Sequence, residues 1–199
     1  MNHQKFKLAA PGTGFIAYTR PYAEDRTLAV LLSNRTASVG AGFGITGGGF
    51  VECGDIDRSP VGSIVEAADE AWREGDEENV GFGQLVSSRI FFEEAQPIAT
   101  LFTRTTDINR VHSCTFFALR LQDRVWQQAT RLSPGPERVG DLVIAILRWK
   151  KSITRRDPEK FITLQTQTGD EIHAGDFCHQ HELRAFGALA WHAERNRLW

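Results

Sequence analysis

Apolar and polar positions along the 199-residue chain alternate in runs that suit a sheet flanked by helices. Residues 15–18 and 28–32 are apolar and β-leaning, with a polar link at 21–26 between them, and predict two strands. Residues 34–40 read as a loop. Residues 39–51 are dense in glycine, with Phe43 and Ile45 on one side of a short strand. Ser63 and Glu66 form an S-x-x-E capping box, which predicts a helix starting just after Ser63. Along it Ile64, Ala68, Ala71 and Trp72 recur at helical spacing, the face that would pack on a sheet. Residues 85–92, 98–104 and 113–121 are three further strand candidates. Residues 126–136 read as a loop, and Glu137 as the start of an apolar helix through Leu142, Ile146 and Trp149. In the tail, residues 161–166 alternate, Gly169-Asp170 signals a turn and 171–173 return as a hairpin. Residues 180–195 read as a helix with Leu183, Phe186, Ala190 and Ala193 on one side. Leu198 and Trp199 are expected to be buried or to form an interface.

The polar face of the helix after Ser63 carries the candidate chemistry. Glu66, Glu70, Glu74 and Glu77/Glu78 run along it at steps of three or four. Like charges at that spacing repel by a few tenths of a kcal/mol per pair, so the stripe wants a positive partner. Arg73 supplies one charge, and a hard divalent cation would supply more. On the helix alone a solvated acidic face is the favoured reading.

The preceding segment changes the balance. Gly47-Gly48-Gly49-Phe50-Val51-Glu52-Cys53-Gly54-Asp55, followed by Arg73-Glu74-x-x-Glu77-Glu78, resembles the Nudix hydrolase signature G-x5-E-x7-R-E-U-x-E-E-x-G-U, where U is bulky and apolar. Asp55 stands in place of the first glutamate, and ten extra residues separate it from Arg73. Gly75 replaces an apolar residue, at about 1 kcal/mol in a helix interior relative to alanine. Val80 stands where the closing glycine belongs, with Gly81 after it. A rival register puts Glu70 on the arginine position and Ala71 on the first metal glutamate, which would leave an inert site.

The resemblance implies an α/β (α+β) fold, a Nudix-like α/β/α sandwich with a mixed central sheet. Residues 1–149 would form the Nudix-like domain and 150–199 a helical and hairpin extension packed on it. It implies Mg²⁺ (or Mn²⁺) as cofactor, held by Glu74, Glu77 and Glu78 and oriented by Arg73. Gly47, Gly48, Gly49, Glu52 and Asp55 would bind substrate, and Glu137 (with Asp123 second) would act as general base. The implied activity is hydrolysis of a nucleoside diphosphate linked to another moiety, by metal-activated water at phosphorus. The alternative is a catalytically impaired Nudix-like module that binds or senses a nucleotide.

Composition narrows the setting. A net charge of −2 gives no general attraction to nucleic acid or anionic membrane. No apolar run approaches the roughly 18 residues that span a bilayer, and residues 1–10 lack a signal-peptide core. Three cysteines without framework spacing suit a cytoplasmic protein with reduced thiols. The expected partner is a small nucleotide-type substrate, with a homodimer through the tail left open. Cys178-x-x-His181 has zinc-like spacing but no second pair, so its histidines read as turn and helix-face residues. Phe15, Tyr18, Phe43 and Trp126 are aromatic candidates for stacking a base, with core packing the commoner role.

Overall fold

The computed structural model describes residues 7–8, 11–20, 25–35, 41–50, 64–105, 110–135 and 140–199. In chain order it has β1 (Lys7–Leu8), β2 (Gly12–Thr19), β3 (Thr27–Arg35), β4 (Gly42–Gly44), β5 (Gly47–Phe50) and α1 (Ile64–Glu78). Then come β6 (Asn79–Val80), α2 (Phe82–Leu85), α3 (Ser88–Glu94), β7 (Gln96–Thr105), β8 (Arg110–Arg120) and α4 (Asp123–Ala129). The chain finishes with β9 (Ser133–Pro134), β10 (Leu142–Trp149), β11 (Ile162–Thr166) and α5 (Gln180–Asn196).

The main sheet is mixed, in the order β1-β8-β2-β3-β10-β11, with β7 on the free side of β8. Strand β8 runs parallel to β2, placing Gly12 opposite Cys114, whereas β3, β10 and β11 pair antiparallel. Strand side chains alternate between faces, and here both faces are covered. Phe15, Ala17, Phe117 and Leu119 pack with Ala67, Ala68 and Ala71 of α1 and with Phe82 and Phe91. Ile16, Tyr18, Phe116 and Ala118 point the other way, onto Phe186, Leu189 and Ala193 of α5. Helices α1 to α4 thus form one layer and α5 the other, an α/β/α sandwich as expected from the resemblance. Trp199 packs edge-on against Trp149 with ring centroids 5.9 Å apart. Among the described residues no helix is long and apolar enough to cross a membrane.

A fork in the sheet makes room for the glycine strand. β2 and β3 pair only at Tyr18 and Thr19 and then part, and β4 and β5 fill the gap, one against each. At the crotch, Ala17 N–H donates to Thr46 Oγ1 (2.8 Å), and that hydroxyl donates to the Leu31 carbonyl (2.7 Å). Backbone groups that lost ladder partners are thereby satisfied, as buried ones must be.

Several sequence expectations are corrected. Residues 142–149 are not a helix but strand β10, paired along its length with β3 and β11. A short apolar run bounded by covered faces has no period that separates the two. Residues 85–92 are not a strand: Ser87 accepts from Ile90 N–H and caps α3, with α2 just before it. The loop expected at 126–136 begins as α4. Ile64 does not belong to the buried face of α1; it is exposed, whereas the expected Ala68 and Ala71 are buried there with Ala67 and Gly75, and Trp72 packs beside them. The triple glycine, which the sequence suggests as a turn folded back beside the helix, is instead an extended strand laid against β2. Helix α1 is present over Ile64–Glu78, and α5 fills the predicted tail helix. Ser63 lies outside the described residues.

Candidate active site

The site is built where α1 lies across β5. A Cβ on Gly47 would stand 2.9 Å from Gly75 Cα, and one on Gly75 would stand 2.6 Å from the Phe15 ring. Helix and strand therefore touch through two glycines, with Phe15 wedged beside them. One turn along, the Glu74 carboxyl occupies the space where a Gly49 side chain would be. Glu78 reaches the neighbouring residue, its Oε2 accepting from Gly48 N–H at 3.3 Å. The far end of α1 is anchored too: Gly135 N–H donates to the Glu78 carbonyl (2.7 Å), and Asn79 Nδ2 to those of Gly75 (3.0 Å) and Thr46 (3.3 Å).

Arginines hold these carboxyls. Arg73 forks onto Glu70 through Nη2 (2.6 Å) and Nε (3.1 Å), and donates to Glu74 (2.9 Å) and Glu77. The hydrogen bonds it donates to Glu70 and Glu77 raise its pKa, so it stays charged. Arg35, from the end of β3, pairs with Glu78 at 2.9 Å. The glutamates differ in setting: the Glu78 side chain is 7% exposed and Glu77 43%. Burial pushes the Glu74 carboxyl up to about 7, Arg73 opposes this, and Glu78, Glu70 and Glu77 add to it. A half-buried carboxyl crowded by like charges is one that a cation would ionise.

Of the residues singled out from sequence, Arg73, Glu74, Glu78 and Gly47–Gly49 come together here, with Glu77 at the exposed margin. Glu52, Asp55, Cys53 and Glu137 lie outside the described residues. Asp123 is exposed at the start of α4, beyond the end of β8. Among the described residues no three His, Cys, Asp or Glu side chains are gathered as a ready metal cage. His181 and His192 lie eleven residues apart on α5, about 16 Å along the axis, and do not meet.

Beside Gly48 and Gly49 opens a cavity of about 370 Å³. Its walls include His112, Cys114 and Phe116 of β8, Arg35 of β3, and His179, His181 and Glu182 at the start of α5. Phe43 and Phe177 form a bridge, and Cys178 N–H donates to the Phe43 carbonyl (2.9 Å), which pins this tail segment to β4. Glu182 is 4% exposed, and burial pushes its carboxyl up to about 7, with Arg35 opposing. His179 and His181 stack with centroids 5.5 Å apart, and burial lowers the pKa of both. Burial also pushes the Cys114 thiol up to about 12, leaving it inert. Phe15, Tyr18, Phe43 and Trp126 do not line the cavity; Phe15 and Tyr18 are core. Arg35 and Glu182 were missed because nothing in the sequence joins position 35 to position 182. The histidines stood out only as a cluster, and the cavity is what gives them a common surroundings.

No protein-family model and no curated protein matches the sequence. Three solved structures resemble the fold. A MutT/Nudix family protein from Enterococcus faecalis has 14% identity and a TM-score of 0.52, over 94% of this chain and 63% of that one. A C. elegans Ap4A hydrolase, solved as a binary complex, has 15% identity and a TM-score of 0.41, over 68% and 79% of the two chains. The Nudix domain of Shewanella oneidensis NrtR, solved with ADP ribose, has 17% identity and a TM-score of 0.38, over 71% and 73%. The present chain spans less than two thirds of the Enterococcus protein. At such identities the likeness concerns architecture: this chain has the Nudix-like α/β/α fold.

Proposed function

We propose that the protein hydrolyses a nucleoside diphosphate linked to another moiety, using Mg²⁺ or Mn²⁺. The observation that carries this reading is the approach of two helix carboxyls, half-buried Glu74 and buried Glu78, to the side-chain-free backbone of Gly48 and Gly49. The donor set suits Mg²⁺, which is commonly held by one or two carboxylates together with waters and substrate phosphates rather than by a full protein cage. Glu74 and Glu78 would hold it, with Glu77 at the rim. Bound there, a divalent cation would neutralise charge on the diphosphate and acidify the attacking water.

The chain's own residues do the rest. Arg73 fixes the rotamers of Glu70, Glu74 and Glu77 by its forked hydrogen bonds, which preorganises the acidic face. Gly47–Gly49 leave the diphosphate free to approach the backbone. Glu137 remains the proposed acceptor of the water's proton. Support for it is its place two residues after Gly135, whose N–H is bonded to Glu78. Screening diphosphate-linked nucleotides with Mg²⁺ and Mn²⁺, read as released phosphate or nucleoside monophosphate, tests the reading. Metal-dependent turnover is expected, and no turnover across the panel overturns it.

One observation favours a second reading, a nucleotide-binding module without turnover. Arg73 and Arg35 already pair with the glutamates, which a weakened metal site would tolerate. Calorimetry showing nucleotide binding in both metals without product would select it.

A further inference from the structure

Strand β7 lies at the end of the sheet, paired to β8 on one side and to no strand among the described residues on the other. Such an edge turns the N–H and C=O groups of alternate residues outward without ladder partners. Pro97 and the register shift between Pro97 and Ala99 blunt its first residues, two common protections of an edge. Residues 98–102 carry no charge to continue that protection, and Phe102 is 63% exposed. A second cavity, of about 300 Å³, opens along this stretch and shares no residue with the one beside Gly48 and Gly49. Ile98, Ala99, Thr100 and Leu101 all line it, with α5 beneath. The Thr100 hydroxyl is turned to the opposite face, bonded to that of Thr115 (3.1 Å), which shares the α1 side with Phe117. What Thr100 offers the cavity is therefore its backbone.

The remaining walls are basic. Arg184 and Trp191 rise from α5, and Arg155 comes from the segment after β10. Arg155 lies over the Trp191 ring, 5.8 Å from its centroid, and has no carboxylate partner among the described residues. Arg184 stands 3.6 Å from Glu159 and 3.9 Å from Asp157, too far to spend its N–H groups on hydrogen bonds. No acidic side chain lines the cavity among the described residues. Two demands meet here: extended backbone to complete the ladder, and carboxylates to take the guanidinium forks. A small anion answers only the second. A second copy of this chain answers only the first, since joining β7 to β7 would bring Arg155 and Arg184 of both copies to one seam.

We infer that the β7 edge and this basic groove form a docking site for an extended acidic peptide segment of a partner protein. The segment adds a strand to the sheet and lays Asp or Glu side chains on Arg155 and Arg184. Main-chain hydrogen bonds supply the hold, and the arginines supply the choice of sequence. The site uses none of the α1 glutamates, so it is independent of the proposed hydrolysis.

The test uses a capped hexapeptide of alternating Glu and Val, its Lys-Val counterpart, and the Glu-Val peptide with every backbone nitrogen methylated. With wild-type protein the Glu-Val peptide should shift the backbone amide NMR signals of residues 98–102. It should also bind at least tenfold more tightly than either control. Arg155→Glu should weaken it at least tenfold, turn the preference toward the Lys-Val peptide, and leave metal-dependent turnover as in wild type. The wild-type amide shifts need no variant, so they decide the matter if Arg155→Glu fails to fold. Equal binding of the methylated peptide would reveal a small-anion site and overturn the inference. Equal binding of the Lys-Val peptide, or no amide shift with any of the three, would overturn it as well. So would a dimer in sedimentation velocity whose β7 amides are already protected from hydrogen exchange, because a second copy would then cover the edge.

Discussion

Gly75 of α1 and Gly47 of β5 meet backbone to backbone, and no side chain fits between them. Helix propensity alone would make Gly75→Ala stabilising by about 1 kcal/mol. The added methyl, however, would press on Phe15, which is fully buried and already packed on Phe82 (5.1 Å) and Phe91 (5.3 Å). Overpacking of such a site costs about 1–3 kcal/mol. The net expectation for Gly75→Ala is a loss of up to about 2 kcal/mol in chemical denaturation. A gain would mean that the helix can lift off the strand.

What looked like a flaw in the signature is thus a packing requirement, visible only once strand and helix are brought together. The chain's local signals were legible where they were self-contained. Helix α1 announces itself by Ala68, Ala71 and Trp72 at helical spacing, and α5 by Phe186, Ala190 and Ala193. Strand β10 did not, because residues 142–149 are apolar at nearly every position and are covered by neighbours on both edges. For the site, R-E-x-x-E-E could be read directly, since one helix carries it. Arg35 and Glu182 could not, because their meeting depends on β4 being bridged to Phe177.

Removing single carboxyls should separate their roles. Glu78→Gln and Glu74→Gln should each lower metal-dependent turnover by about 100-fold or more, while the melting temperature stays within a few degrees. Glu77→Gln, at the exposed margin, should lose less. Full turnover in both Glu74→Gln and Glu78→Gln would rule out the assignment.

Acidity gives a second handle. Glu74 and Glu182 both have carboxyls pushed up to about 7 from 4.5. Between pH 4.5 and 7 the folded protein keeps protons that the unfolded chain has released. The metal-free protein should therefore lose stability from these groups as pH rises through that window, and gain it on acidification toward pH 4.5. A cation needs Glu74 ionised, so the Mg²⁺-induced rise in melting temperature should be larger at pH 8 than at pH 6. Thermal scans at both pH values check the sign, and Glu74→Gln should flatten the difference.

Arg35 joins the two halves of the site, pairing with Glu78 and standing near Glu182. Arg35→Ala would leave Glu78, nearly buried, without its guanidinium. A loss of about 1–3 kcal/mol is expected in urea or guanidinium titration. No change would mean that Glu78 finds another partner at no cost.

The pairing of Gly12 with Cys114 also has a kinetic meaning. That parallel contact closes a loop of about a hundred residues, the kind of long-range step that slows folding. Since Gly12, Thr13 and residues 112–116 all line the cavity, helix content should return in refolding before any capacity to bind nucleotide does. Stopped-flow circular dichroism set against a ligand-binding signal would resolve the two phases.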